Sequence, residues 1–422
     1  MEVKNIAEER FIFTDSLKKR LMILAVAGLI AAIIGILGMI FLSHGEVHGA
    51  DPTTEEHGFH WSQRLWANLW INNIYFIGLS IIGVFFVALQ YVAQAGWSAS
   101  INRIPLAFGS WLPLGGILLI IVFVIANHDI FHWTHGYLYD TNDARYDAIL
   151  YGKSGYLNFW FYLGRTLLYF GLWIWMFYLI RREMLAEDIN GGVTHYRKLI
   201  KYSAIFIVLF AVTSSMSAWD WVMSIDPHWF STMFGWYVFA SWFVSGLAAI
   251  TLVVVFLKEN GYLPLVNSNH LHDLGKFVFA FSIFWTYIWF SQFLLIYYAN
   301  IPEESIYFIE RLTNDHYAPI FFINLLLNFF FPFLVFMTRD AKRHAIFLKI
   351  VCIVVLVGHW MDFYLMITPG TLGEDGAFGF LEIGLALLYG SAFAFTSLTA
   401  LSKAPLVARN HPMLQESIHH NI

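Results

Sequence analysis

The sequence predicts an all-α polytopic membrane protein of ten transmembrane helices, and three observations carry that prediction. Hydrophobic residues make up 59% of the 422 residues and charged residues only 13%, against roughly 45–50% and 25% in water-soluble chains. So few charges cannot cover a water-facing surface. Ten runs reach the length of about 20 apolar residues that a helix needs to cross the hydrocarbon layer. The charges fall in clusters between those runs, and no strand pattern interrupts them.

The runs are 21–42, 71–93, 106–126, 158–180, 202–222, 232–256, 274–298, 318–338, 346–366 and 378–402. Span one follows Lys18, Lys19 and Arg20, which imitates the start of a signal peptide. Its apolar run is about twice too long for one and no small-residue cleavage site follows closely, so it reads as a retained helix. With a cytoplasmic N-terminus, nineteen Lys and Arg fall in inner segments and helix ends, and five (Arg64, Arg145, Lys153, Arg165 and Arg311) fall outside. That positive-inside bias places both termini in the cytoplasm. The outer loops are acidic and rich in histidine, with Glu46, Asp51, Glu55 and Glu56 in the first and Asp140, Asp143 and Asp147 in the second. Trp61, Trp66, Trp70, Trp133 and Tyr137 crowd the outer span ends, where amphipathic rings settle at headgroup depth. The outer loop 127–157 is too long for a tight turn and is expected to lie across the surface or under a partner.

Composition also excludes function classes. The net charge of −5 and the absence of a basic region argue against nucleic-acid binding. One cysteine, Cys352, excludes a disulfide framework and thiolate-held clusters or haems. His128, His132 and His135, and likewise His57 and His60, imitate ligand spacing, but no Cys or carboxylate completes either set, so no metal site is expected. No haem b is expected either, because His359 alone lies well inside a span. No Walker or Rossmann glycine pattern follows a strand.

Ionisable side chains inside a membrane cost several kcal/mol unless they face a cavity or a partner, so each marks a functional question. They form three groups. Near the outer mouth of spans two to five lie Asn72, Asn73, His128, Asp129, Arg165 and Asp220. Arg165 sits roughly 10 Å inside its helix and needs Asp129 or Asp220 as a partner. The group is either a structural clamp or a pocket that takes a quinol headgroup and its protons. At the inner end of span seven are His272, Asp273 and Lys276, opposite Arg339 and Asp340. Lys276 shares a helical stripe with Tyr287 and Ser291, which predicts a wet path about 22 Å long. In the outer half of spans eight to ten lie Asn324 and Asn328, His359 and Asp362, and Glu382. Spacings of four and three place each of the first two pairs on one face, as a proton relay or as interhelical glue.

Two stretches carry a specific resemblance: SAWDWVMSIDPHWFSTMFGWY at 217–237, and HDLGKFVFAFSIFW at 272–285 running on to FSQFLL at 290–295 and YYANIPEE at 297–304. With ten helices, they resemble the second polytopic membrane subunit of bacterial alternative complex III, a quinol:cytochrome c oxidoreductase, within the wider family of polysulfide-reductase-like membrane anchors. The resemblance implies two four-helix bundles, spans two to five and six to nine, flanked by spans one and ten. The chain then divides into a cytoplasmic segment 1–20, the first span and outer loop 21–70, bundles at 71–222 and 223–366, the last span 367–402 and a cytoplasmic tail 403–422. It implies a bacterial inner membrane and, as partners, a multihaem cytochrome c, an iron–sulfur protein and a sister membrane subunit of the same fold. Haems and iron–sulfur clusters then belong to those partners, with none bound by this chain. The family's quinol site lies at the outer side of the first bundle, and the stronger case for it belongs to the sister subunit, because span four here offers Arg165 in place of an acid. The competing functions are a structural anchor without chemistry and a secondary transporter. For the latter, Pro113 in span three lacks a matching break in span eight, whose Pro332 lies near the other end.

Overall fold

A computed structural model describes residues 9–43 and 61–421; His57, His60 and the first-loop acids Glu46, Asp51, Glu55 and Glu56 lie outside them. Among the described residues ten helices are long and apolar enough to cross a membrane, so the chain is an all-α, multi-pass membrane protein. They are α1 (Asp15–Ser43), α2 (Trp61–Val92), α3 (Arg103–Ile130), α4 (Phe159–Asn190), α5 (Thr194–Trp221), α6 (Phe234–Glu259), α7 (Ser268–Ala299), α8 (Tyr317–Val335), α9 (Ala345–Leu372) and α10 (Phe380–Ser402). Several outrun their apolar stretches. For example, α2 starts at Trp61 and α4 continues to Asn190, because polar residues at a span end extend the helix beyond the hydrocarbon.

Helices α2 to α5 pack in a ring, each against the next and α5 back against α2, and α6 to α9 form a second ring in the same way. The rings meet where α2 lies against α6 and α9, and α5 against α6. Helix α2 is therefore buried over most of its length, which explains why it is apolar all round and not amphipathic. Helix α10 leans on α2 and α3, and α1 leans on α10. That last contact is a small-residue crossing: a Cβ on Gly384 would lie 2.4 Å from Ala32 N and 2.6 Å from Gly28 O.

Segments 9–14 and 403–421 lie on one face, here called the termini face, with segments 93–102, 191–193, 260–267 and 336–344. The opposite loop face carries 131–158, 222–233, 300–316 and 373–379. Loop 131–158 folds into short helical turns that bury Trp133, Leu138 and Leu150 over the first ring. Asp147 caps the helix Ala148–Lys153, its Oδ1 accepting from Ile149 N at 2.8 Å and Leu150 N at 3.0 Å. Burial pushes its carboxyl up, but those bonds and His228 outweigh burial and hold it below the usual carboxylate range. Asn300, in the left-handed region at φ 48°, ends α7. Pro302 then opens an amphipathic surface helix, Pro302–Thr313.

The segment 403–421 is not a loose tail. It returns along the termini face, where Ser417 Oγ bonds Trp97 O at 2.7 Å and Ser100 Oγ at 2.9 Å.

Candidate functional site: two buried carboxylates

In the first ring, Arg165 enters from α4 and Asp220 from the end of α5. The guanidinium holds the carboxylate in two parallel bonds, Nε to Oδ2 at 2.8 Å and Nη2 to Oδ1 at 2.9 Å. Its Nη1 donates to Tyr156 O at 2.9 Å, and Tyr169 adds a bond to Oδ2 at 2.8 Å. The Tyr156 ring lies 3.8 Å from the guanidinium carbon. Asp220 is 0% exposed, so the pair is a desolvated, geometrically complete clamp.

The other residues grouped with Arg165 from sequence lie elsewhere. Asp129 is half-buried at the end of α3, and the carboxylate that pairs Arg165 is Asp220. Asn72 is a strut between the rings: its Oδ1 accepts from Trp360 Nε1 at 3.0 Å and its amide donates to Asn68 O. Asn73 donates to Leu69 O at 3.0 Å. His128 bonds Thr134 at 3.1 Å and lines a loop-face cavity of about 480 Å³ with Asn127, Trp133, Tyr139, Asn158 and Phe159. Neither Arg165 nor Asp220 lines that cavity. Shared depth in the membrane, which the sequence shows, does not place side chains on one face.

The second ring buries Asp362, on α9, and holds it differently. Oδ1 accepts from Tyr237 OH at 2.5 Å and from Asn324 Nδ2 at 2.8 Å; Oδ2 accepts from Ser241 Oγ and from Trp285 Nε1 at 3.0 Å. Four uncharged donors from α6, α7 and α8 thus converge on a carboxylate that is 0% exposed. Asn328 continues the chain, donating to Asn324 Oδ1 at 2.5 Å. It sits in a π-helical segment, Leu326–Phe330, of the kind that recurs at functional sites. Gly358 admits it, because a Cβ there would lie 2.2 Å from Asn328 Oδ1.

His359 Nδ1 is 3.9 Å from Asp362 Oδ2, beyond hydrogen-bond reach. Among the described residues neither of its ring nitrogens has a partner, nor do Ser282 Oγ, Gln292 Oε1 and Asn328 Oδ1. Buried polar atoms without a protein partner are normally satisfied by water. Gln292, Tyr237 and Asn324 also line a cavity of about 10 Å³ with Trp289, Tyr307 and Arg311, about the room one water needs. Burial pushes the Tyr307 phenol up to about 12, so Tyr307 stays a neutral wall of that cavity.

Four expected members of this path are corrected. Tyr287 is 63% exposed, Lys276 is exposed and Ser291 half-buried, so their stripe faces outward. The inward stripe of α7 is Val278, Ser282, Trp285, Trp289, Gln292 and Ile296. Periodicity fixes which residues share a face and leaves open where that face points. Glu382 belongs to a separate clamp that ties α10 to α2: it accepts from Arg64 at 2.8 and 2.7 Å, Asn68 at 2.9 Å and Gly379 N at 2.7 Å.

At the termini face, Asp273 pairs with Lys276 at 2.6 Å and with His420 of the returning tail at 2.6 Å. His272 is buried beside them, and loop 336–344 reaches this group through Arg343, which donates to Asn269 Oδ1 at 2.8 Å. Nothing in the residue pattern of 403–422 marks the tail's part in this group. The quoted stretch 217–237 runs from the first ring into the second, supplying Asp220 to one site and Tyr237 to the other, and Trp285, which closes 272–285, donates to Asp362. No family model matches the chain, and no curated protein matches it significantly.

Proposed function

We propose that this chain is an integral membrane subunit of a quinol:cytochrome c oxidoreductase of the alternative complex III kind. It serves a respiratory electron-transport chain in a bacterial inner membrane, with the termini face cytoplasmic as the charge bias requires. Electrons pass through the haems and iron–sulfur clusters of a multihaem cytochrome c and an iron–sulfur protein, beside a sister membrane subunit. This chain conducts protons through its second ring. The quoted motifs and the two-ring architecture support the family reading. The observation that carries proton conduction is the Asp362 cradle, with the unpartnered polar atoms of His359, Ser282, Gln292 and Asn328 around it in an otherwise apolar interior.

A quinol headgroup does not fit the Arg165 clamp, whose guanidinium and carboxylate are already engaged by each other, Tyr156 and Tyr169. The loop-face cavity at His128 has room for a planar ring and an unpartnered donor, Trp133 Nε1. It is where quinone contact by this chain is assigned. The saturated clamps at Asp220 and Glu382 favour a second reading, a purely structural anchor.

The two readings separate in vesicles that contain the whole complex. His359→Phe fills much of the same volume, so assembly and electron transfer to cytochrome c should continue while protons released outside per electron fall. An unchanged ratio in both His359→Phe and Asp362→Asn would leave the second ring as scaffold.

A further inference from the structure

The first ring holds another buried acid, at the opposite end from its clamp. Glu187 lies on the extension of α4 beyond its apolar run, in a stretch the sequence presents as a charged, solvated segment. It is 0% exposed, and among the described residues neither carboxyl oxygen has a hydrogen-bond partner. Around it, Tyr91 OH, Asn102 Oδ1, and Arg103 Nε and Nη1 are also buried and unpartnered. Arg103 spends its remaining nitrogen on Asp188 at 2.6 Å and Met184 O at 3.1 Å. The tail closes the chamber. Asn410 donates to Glu187 O at 3.3 Å and to Asp188 O at 2.9 Å, and Arg409 N donates to Asp188 Oδ1 at 3.0 Å. The rings of Tyr91, Tyr196 and His411 complete the wall, 5.3 to 5.8 Å apart.

Charge counting then decides what Glu187 holds. The groups that face the chamber are Tyr91 on α2, Arg103 on α3, Asp188 on α4, Tyr196 on α5, and His411 and Glu416 on the tail. One guanidinium serves two carboxyls and is bonded to Asp188. His411 adds no cation, because its Nδ1 accepts from Met413 N at 3.1 Å. A second carboxylate, sealed from water and unbonded, would be a bare buried charge, which proteins avoid by neutralising the group. We infer that Glu187 is a proton-carrying carboxyl, loaded from the aqueous phase at the termini face, with tail residues 409–413 as its lid. Loading is a simple transfer: hydronium gives its proton to the Glu187 carboxylate and leaves as water. Passage across the ring is closed, since Phe206 and Phe210 fill the α5 face between Ser203 and Thr213. The proton therefore returns to the side it came from.

Infrared difference spectroscopy on the full chain in its membrane complex tests this independently of the respiratory reading. A protonated-carboxyl C=O band should be present at neutral pH, vanish in Glu187→Gln, and shift in Tyr91→Phe as its hydrogen-bonding environment changes. Its shift on transfer to heavy water should be slow in the intact protein and several-fold faster in Asn410→Ala. Absence of any such band at neutral pH, or a band that Glu187→Gln leaves intact, overturns the site. Equal exchange rates with and without the Asn410 side chain overturn the lid.

Discussion

Each ring of four helices buries one carboxylate on its fourth helix, toward the loop face, and the two are stabilised by opposite means. Asp220 is neutralised by a guanidinium whose donors are used up on it and on Tyr156 O. Asp362 has no such cation; a phenol, a hydroxyl, an amide and an indole share its charge. A bidentate ion pair is stiff and leaves few donors or acceptors free. A carboxylate held by neutral donors, with unpartnered polar atoms near it, can exchange a proton without stranding a buried cation. The same residue type at the same station is thus held by an ion pair in one ring and by neutral hydrogen bonds in the other.

The sharpest way to break this comparison is Arg165→Leu. Removing one partner of a buried pair strands the other, at about 3–5 kcal/mol, so assembly and thermal resistance of the purified complex should fail before turnover does. Arg165→Leu with Asp220→Leu should recover much of that loss. Normal assembly with lost quinol oxidation would instead make the clamp catalytic.

The next effect concerns the tail over the first ring. Burial and the Arg103 charge push His411 down to about 4 from an ordinary 6.5. An undocked tail therefore binds the proton that the docked one refuses. Docking is complete above pH 6.5 and weakens as pH falls toward 4, by on the order of 3 kcal/mol in full. Hydrogen exchange of residues 409–421, corrected for intrinsic rates, should show protection lost across that window; undiminished protection at pH 4 would sink the idea.

Asp362→Asn keeps the shape but offers donors to donors, at about 1–3 kcal/mol. The complex should still assemble, with fewer protons released per electron, which is the reverse of the Arg165 phenotype. The smallest effect is expected at Tyr287→Phe, on the outward stripe. Stability should stay within about 0.5 kcal/mol and the proton ratio should not move, whereas Ser282→Ala on the inward stripe should lower the ratio.

The fold was legible because the bilayer imposes a length and an apolarity that the ten runs display. The sites were legible only as residue types at a depth. Arg165 announced that it needed an acid, and Asp220 was one of the two available. Asn324, Asn328, His359 and Asp362 were grouped correctly because α8 and α9 turn those faces inward. Tyr287 and Ser291 were misread because a polar stripe on a helix carries no mark of direction, and Glu382 because α10 could have leaned on either ring. Glu187 escaped because its surroundings, Arg181, Arg182, Glu183 and Asp188, look like a solvated helix end. The tail that buries it is 223 residues further along the chain at Asn410.

The crossing of α1 and α10 has a consequence for biosynthesis. Helix α1 is made before the other nine, yet its main partner, α10, is made after them. Until translation reaches Gly384, α1 has only its small contact with α2 to rest on in the bilayer. It is suited to that interval: it is the most hydropathic of the ten and the least buried, with no charged side chain between Arg20 and Ser43. Helix α2 carries Arg64, Asn68, Asn72 and Asn73 and could not wait alone so comfortably, but it meets α3 almost at once. The order of manufacture is thus written into the apolarity of each span, and the Gly28–Gly384 contact is the last seam to close.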